Sequence, residues 1–179
     1  MQIQPGIMSS MEGGPMPKGK GSNEIELLLK IIDQSYDHIA WHGTNLRGSL
    51  RGLTLEEASW RPATGRHNIW ENMVHTAYWK YAVRRRLLDE KRGSFELKGS
   101  NWFVRPQVLT DEAWRADIGL LASTHSSLRQ AVQELSPARL HQAPAGRKVT
   151  NAAMVYGIAS HDVYHAGQIQ LLKRLFRTR

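Results

Sequence analysis

Cysteine is missing from all 179 residues, and its absence excludes disulfides, thiolate metal ligands, iron–sulfur clusters and a cysteine nucleophile of the chain's own. Any metal here is held by His, Asp or Glu. Long apolar runs are missing as well, since none approaches the roughly 20 residues of a membrane-spanning helix. The first residues lack the basic-then-apolar order of a secretory signal, so a soluble, cytoplasmic protein without a membrane partner is expected. Acidic residues are in deficit, 16 Asp and Glu against 24 Lys and Arg, for a formal net charge of +8. Such an excess raises nucleic acid as a partner, because Lys and Arg neutralise phosphates. Its distribution argues otherwise. Arg84, Arg85, Arg86, Lys91 and Arg92 fall toward the end of one predicted helix, and Lys173, Arg174, Arg177 and Arg179 toward the end of another, where cations complement the negative end of the helix dipole. No recognition motif accompanies them, and no nucleic-acid partner is expected.

Residues 1–22 combine Gly, Pro, Met and Ser without periodicity, which reads as a disordered leader. The remaining stretch, 23–179, suits one domain with a core of its own. Asn23 with Glu26 resembles a capping box, and Ile25, Leu28, Leu29, Ile32, Tyr36 and Ile39 continue a helical stripe, which predicts a helix over 23–50. Thr54 with Glu57 starts a short turn before the loop that begins at Trp60. Asn68 with Glu71 repeats the capping pattern and opens a helix over 68–91, whose buried arc is Trp70, Val74, Ala77, Tyr78, Tyr81 and Leu88. A third helix is predicted over 111–135 and a fourth over 150–176. The connection 93–106 is irregular and carries Trp102 and Phe103, which lie where they can cover a site. Four long amphipathic helices with almost no strand signal predict an all-α four-helix bundle.

The chemistry concentrates on the fourth helix. At about 100° per residue, Met154, Ile158, His161, His165, Ile169 and Leu172 share one narrow arc, so two imidazoles point where the core should be. A divalent cation satisfies two such ring nitrogens at once, and the i, i+4 spacing is that by which helical pairs chelate zinc. A bundle completes such a site from a facing helix, and His75, at the margin of the second helix's buried arc, is best placed to be the third ligand. His38 and His42 repeat the spacing at the edge of the first helix's stripe, where a surface position is the simpler reading for His38. His125 lies on the apolar stripe of the third helix and reads as a core histidine. His67 precedes the second helix and reads as a loop residue, with the mouth of a pocket as the alternative, and His141 carries no signal.

Asn68 to His75 on the second helix, together with His161-Asp-Val-Tyr-His165-Ala-Gly-Gln168 on the fourth, resembles the DinB/YfiT-like superfamily over about 23–176. The Trp60-Arg-Pro loop and the Trp41-His42-Gly43 segment are similar to that group too. The resemblance implies a four-helix bundle in which His75, His161 and His165 bind a divalent metal, and it implies a homodimer. It also favours His42 as a substrate contact or general base. Three neutral imidazoles take zinc, nickel or another first-row ion, and the position left open belongs to a catalytic rather than a structural metal. Two chemistries follow on a small-molecule substrate. In one the metal activates water for hydrolysis; in the other it activates the thiolate of a low-molecular-weight thiol, as the resemblance to thiol-dependent transferases and isomerases implies. A noncatalytic metal- or ligand-binding bundle is the alternative. Asp162, Glu71 and Gln168 are candidates to orient the ligand histidines.

Overall fold

A computed structural model describes residues 20–179 except Arg92 and Ser94. Four long helices, α1 (Lys20–Tyr36), α4 (Ile69–Leu87), α5 (Asp111–Gln133) and α7 (Asn151–Arg177), form the bundle, with short helices α2 (Leu46–Ser49), α3 (Leu55–Ser59) and α6 (Pro137–Leu140) in the connections. Helix α4 packs against α5 and α7, and α1 against α7 and α5. The described residues contain no strand; the extended piece of the 93–106 connection is a single bridge between Ser100 and Trp102. No described helix is long and apolar enough to cross a membrane.

Local chemistry sets most of the boundaries. Asn68 and Thr54 each cap a helix through a full capping box, with Glu71 and Glu57 reaching back to the cap backbone. Thr110 and Thr150 cap α5 and α7 by accepting from Ala113 N and Ala153 N. The first helix departs from expectation at both ends. It already runs from Lys20, so Asn23 lies inside it, and the leader expected over 1–22 falls, up to residue 19, outside the described residues. It ends at Tyr36 rather than near residue 50. Asn45 explains the break: its Nδ2 donates to the His38 carbonyl at 2.8 Å while its Oδ1 accepts from Gly48 N at 2.7 Å, closing one helix and capping the next. Gly43 takes φ +94° in the intervening loop, a value that favours glycine. As a result Ile39 leaves the apolar stripe and is 97% exposed, Trp41 is fully exposed, and His42 stands on a loop.

Helix α4 is the central element. Every residue from Ile69 to Ala77 is buried, including Glu71, Asn72, His75 and Thr76, so the helix has no dry face and wet face to alternate. Leu88 of its predicted arc lies beyond its end and is exposed. Ile69, Trp70, Met73, Leu121 and Ile169 fill one half of the core, and Ile32, Leu87, Leu128, Leu140 and Val155 the other. Between the halves lies a polar knot. The Lys80 ammonium donates to Asp162 Oδ2, both side chains fully buried, and His125 Nδ1 sits 3.4 Å from Lys80 Nζ with its ring stacked on Tyr36 at 3.6 Å. His125 is thus a core histidine.

Breaking a buried ion pair from one side strands a charge, whereas removing both charges does not. Lys80→Met and Asp162→Leu are each expected to cost about 3–5 kcal/mol in urea unfolding. The double variant should be markedly more stable than either single one; equal losses in all three would show that the two charges are not coupled.

Candidate metal centre

Three imidazoles meet where α4 faces α7. His75 comes from the buried stretch of α4, and His161 and His165 lie one turn apart on α7. His161 Nε2 stands 3.1 Å from both His75 Nε2 and His165 Nε2, and one ligand atom from each ring lies within 4.8 Å of the others. Two of the rings are held from behind. His75 Nδ1 donates to the Asn101 carbonyl at 2.8 Å, and His165 Nδ1 donates to Asn72 Oδ1 at 2.9 Å. Asn72 cannot turn its amide round, because its Nδ2 donates to the Asn68 carbonyl at 2.7 Å. Asn101 adopts φ +65°, a left-handed backbone that asparagine tolerates, and its Oδ1 accepts from Trp79 Nε1 at 2.9 Å. Trp79 lies four residues after His75, so one helix pins both the carbonyl and the side chain of Asn101.

These partners decide the tautomers. With their protons on Nδ1, His75 and His165 present bare Nε2 lone pairs to the centre. His161 Nδ1 is buried without a hydrogen-bond partner in the structure. A proton on His161 Nε2 serves one neighbour at a time, so one close nitrogen contact is always lone pair against lone pair. Added protons are no remedy. Burial is the main cause that lowers all three pKa values, to about 4 for His161 and about 3 for His165, and the neighbouring imidazoles reinforce it there. Three neutral, convergent lone pairs fit a divalent cation: a tetrahedral ion with bonds of about 2.0–2.1 Å has nitrogen neighbours about 3.3 Å apart. The donor set, with two of its nitrogen separations at 3.1 Å and all within 4.8 Å, therefore fits the metal that the sequence leads one to expect.

The other expected residues divide clearly. Trp102 stacks on His75 at 3.9 Å and on His67 at 3.6 Å, forming a three-ring pile over the centre, while Phe103 turns into the core against Tyr78 and Phe95. Trp70 is core and donates to Asp117, and Trp41 faces away from the protein. Asp162 belongs to Lys80 and does not orient a ligand. Burial raises the Glu71 carboxyl, but Arg61, His67 and the Arg105 N–H outweigh it and hold it below the usual carboxylate range. Gln168 donates to Tyr164. His42 is not brought to the cluster: it lines a separate groove with Ile31, Gln34 and Ala159, because α1 stops before reaching it. His38 is exposed and pairs with Asp37. The orienting residues Asn72 and Asn101 are absent from the sequence reading. Asn72 carries a faint signal, lying one helical turn from both Asn68 and His75; Asn101, in an irregular segment, carries none.

A buried three-histidine centre between two helices of a four-helix bundle defines the class of protein. The DinB superfamily model matches residues 38–169, a span that includes all three histidines, and the chain belongs to that superfamily. No curated protein and no solved structure matches it.

The lowered pKa values have a consequence for stability in the metal-free protein. An unfolded histidine takes a proton near pH 6.5, whereas His165 in the fold does so only near pH 3 and His125 near pH 2. Between those limits the unfolded state holds more protons, so stability is complete above pH 6.5 and falls as the pH drops, by at most about 1.4 kcal/mol per pH unit for each histidine. Urea unfolding at pH 7, 6 and 5, roughly above the carboxylate range, should show this loss. A flat profile would mean that these rings are not held neutral.

Proposed function

We propose that this protein is a metal-dependent enzyme acting on a small molecule, a hydrolase or a thiol-dependent transferase, in which His75, His161 and His165 hold one divalent cation, zinc or nickel. The observation that carries the reading is the convergence of the three Nε2 atoms, two of them committed to the deprotonated, inward-facing state by Asn72 and Asn101. Among the described residues no fourth His, Asp or Glu joins the cluster, and three protein ligands suit a catalytic ion better than a structural one. Such an ion supplies an open Lewis-acid position that lowers the pKa of a water or thiol placed on it. The sulfur of the thiol chemistry comes from a low-molecular-weight thiol, since the chain has no cysteine. The chain's own contribution is to fix two of the rings and to wall the centre with Trp79 and Trp102, which limits water around it. His42 has no part in this reading.

Elemental analysis of untagged protein should find about one zinc or nickel per chain, and His75→Ala or His161→Ala should lose it while remaining helical by circular dichroism. Asn72→Leu should weaken zinc binding about 10–100-fold, the usual cost of removing the partner that orients a ligand histidine. Full occupancy in His161→Ala would sink the ligand assignment. Protein that loads as expected then goes to hydrolase and thiol-transfer screens.

The same reading places the protein in the cytoplasm as a homodimer. Support for self-association comes from the outer face of α7. Tyr156, Tyr164 and Leu171 are each more than half exposed, and between Asn151 and Leu172 the only Asp, Glu, Lys or Arg is the buried Asp162. A chain of net charge +8 gains most by pairing through a face that carries no cation. Sedimentation should give a dimer for the wild type and a monomer for Tyr156→Glu; a monomeric wild type at tens of micromolar would rule the dimer out.

A further inference from the structure

A cavity of about 420 Å³ opens beside the histidine cluster, within the size range of small-molecule sites. Its side walls are Pro62 and Ala63 from the loop before α4 and Leu171 and Leu172 from α7. Its inner end is closed by Asn72 and Trp102, and each of these touches a ligand histidine: Asn72 through its bond to His165, Trp102 through its stack on His75. None of the three ligand histidines lines the cavity itself; Asn72 and Trp102 stand between it and the centre, one contact away.

Charge in this cavity is one-sided. Arg66 lines it, and no acidic residue is among those that do. The other arginines nearby are spoken for, Arg61 by Glu71 and Arg105 by Asp117. Arg66 has no ion-pair partner among the described residues; it takes part in the loop only through its backbone, the N–H bonding to Ala63 and the carbonyl accepting from Arg61. A guanidinium that lines an apolar cavity without a carboxylate of the protein's own is suited to a carboxylate on the ligand, which it grips with two parallel N–H donors.

We propose that the substrate is a small carboxylic acid with an apolar body. Its carboxylate is held by Arg66 at the outer end, its body lies between the Pro62 and Ala63 wall and the Leu171 and Leu172 wall, and its far end is presented beside Asn72 and Trp102, where the ligand histidines stand. This assignment rests on the metal-centre reading for the direction of the substrate, but the Arg66 contact itself does not require the ion. Arg66 is a specificity-determining residue here; it anchors the end of the molecule that does not react.

The test uses three probes of one shape and different charge, phenylbutyrate, phenylbutanamide and phenylbutylamine, titrated calorimetrically into zinc-treated and metal-free full-length protein, with zinc content measured on each sample. The acid should bind about fivefold tighter than the amide, the upper range for a partly exposed charge pair, and the amine weakest. That preference should survive metal removal, disappear in Arg66→Gln and return in part in Arg66→Lys. Arg66 is exposed, so these variants leave the core intact. A preference that vanishes with the metal and ignores Arg66→Gln would place the carboxylate on the ion and overturn the assignment. So would equal binding of acid and amide, or no binding of any probe to folded protein. Zinc content separates the two readings: a loaded protein without the acid preference refutes the cavity assignment alone, and a protein that takes up no zinc refutes the metal centre alone.

Discussion

The ion pair between Lys80 and Asp162 is the constraint on which the remaining architecture turns. It ties α4 to α7, the two helices that carry the clustered histidines, and it does so one residue from His161 and five from His75. A buried ammonium and carboxylate have a steep preference for one another over any other partner, because the alternative is a bare charge in a medium where such charges cost several kcal/mol each. An apolar interface of equal area tolerates a slide of a fraction of a turn; this contact does not. The register of α4 against α7 is thereby fixed, and with it the 3.1 Å approach of His75 to His161. Ser35 of α1, 3.5 Å from the same carboxylate, brings the first helix to the same point.

Around that register the polar residues of α4 form a sequence of commitments. Asn68 caps the helix; its carbonyl accepts from Asn72, whose oxygen accepts a hydrogen bond from His165 Nδ1, and the lone pair of His165 Nε2 is left facing the centre. Each link leaves the next group one choice of orientation. Buried polar groups of this kind add little net stability when paired and cost much when unpaired, so their effect is on precision. The centre needs that precision, since no charge on the protein draws the rings together and all three repel a proton. Glu71, which shares the cap, is kept out of the centre by Arg61, His67 and Arg105. A carboxylate free to swing inward would offer an extra ligand and a negative charge; held where it is, it leaves the cluster neutral.

The bundle and its histidine cluster were legible in the sequence to the extent that they follow from periodicity. The helical arc on α7 puts His161 and His165 on its inner side without knowledge of any neighbour, and the capping pair Asn68 and Glu71 locates the start of α4. Where the determinant is a contact distant in sequence, the pattern misleads. The apolar spacing that ran on to Ile39 gave no sign that Asn45 would bond back to His38 and break the helix, so His42, favoured for the site by the resemblance of its segment, stands on a loop instead. Lys80 in the core was equally hidden. A lysine in a helix reads as solvated, and its partner Asp162 lies 82 residues away. Asn101 orients His75 from a loop whose shape depends on the packing of Trp79, Trp102 and Phe103, so no local signal could have singled it out.

His125 shows why a shifted pKa does not by itself identify a ligand. Burial and the Lys80 charge lower it to about 2, further than the lowering at His161 or His165. On that measure alone it would be the leading candidate for a functional group. Its surroundings say otherwise: one face is covered by Tyr36 at 3.6 Å, Nδ1 faces the Lys80 ammonium, and the other acceptor aimed at that space, Asp162 Oδ2, is met by the same ammonium. A neutral imidazole beside an ammonium is a hydrogen-bond acceptor with its partner already present. At the cluster, neutrality creates the opposite situation, because three acceptors share one space with at most one proton among them. The same desolvation thus makes a satisfied core residue in one place and an unmet demand for positive charge in the other. What separates them is that at the cluster the lone pairs converge with no cation of the chain among them, a donor set that suits a divalent ion.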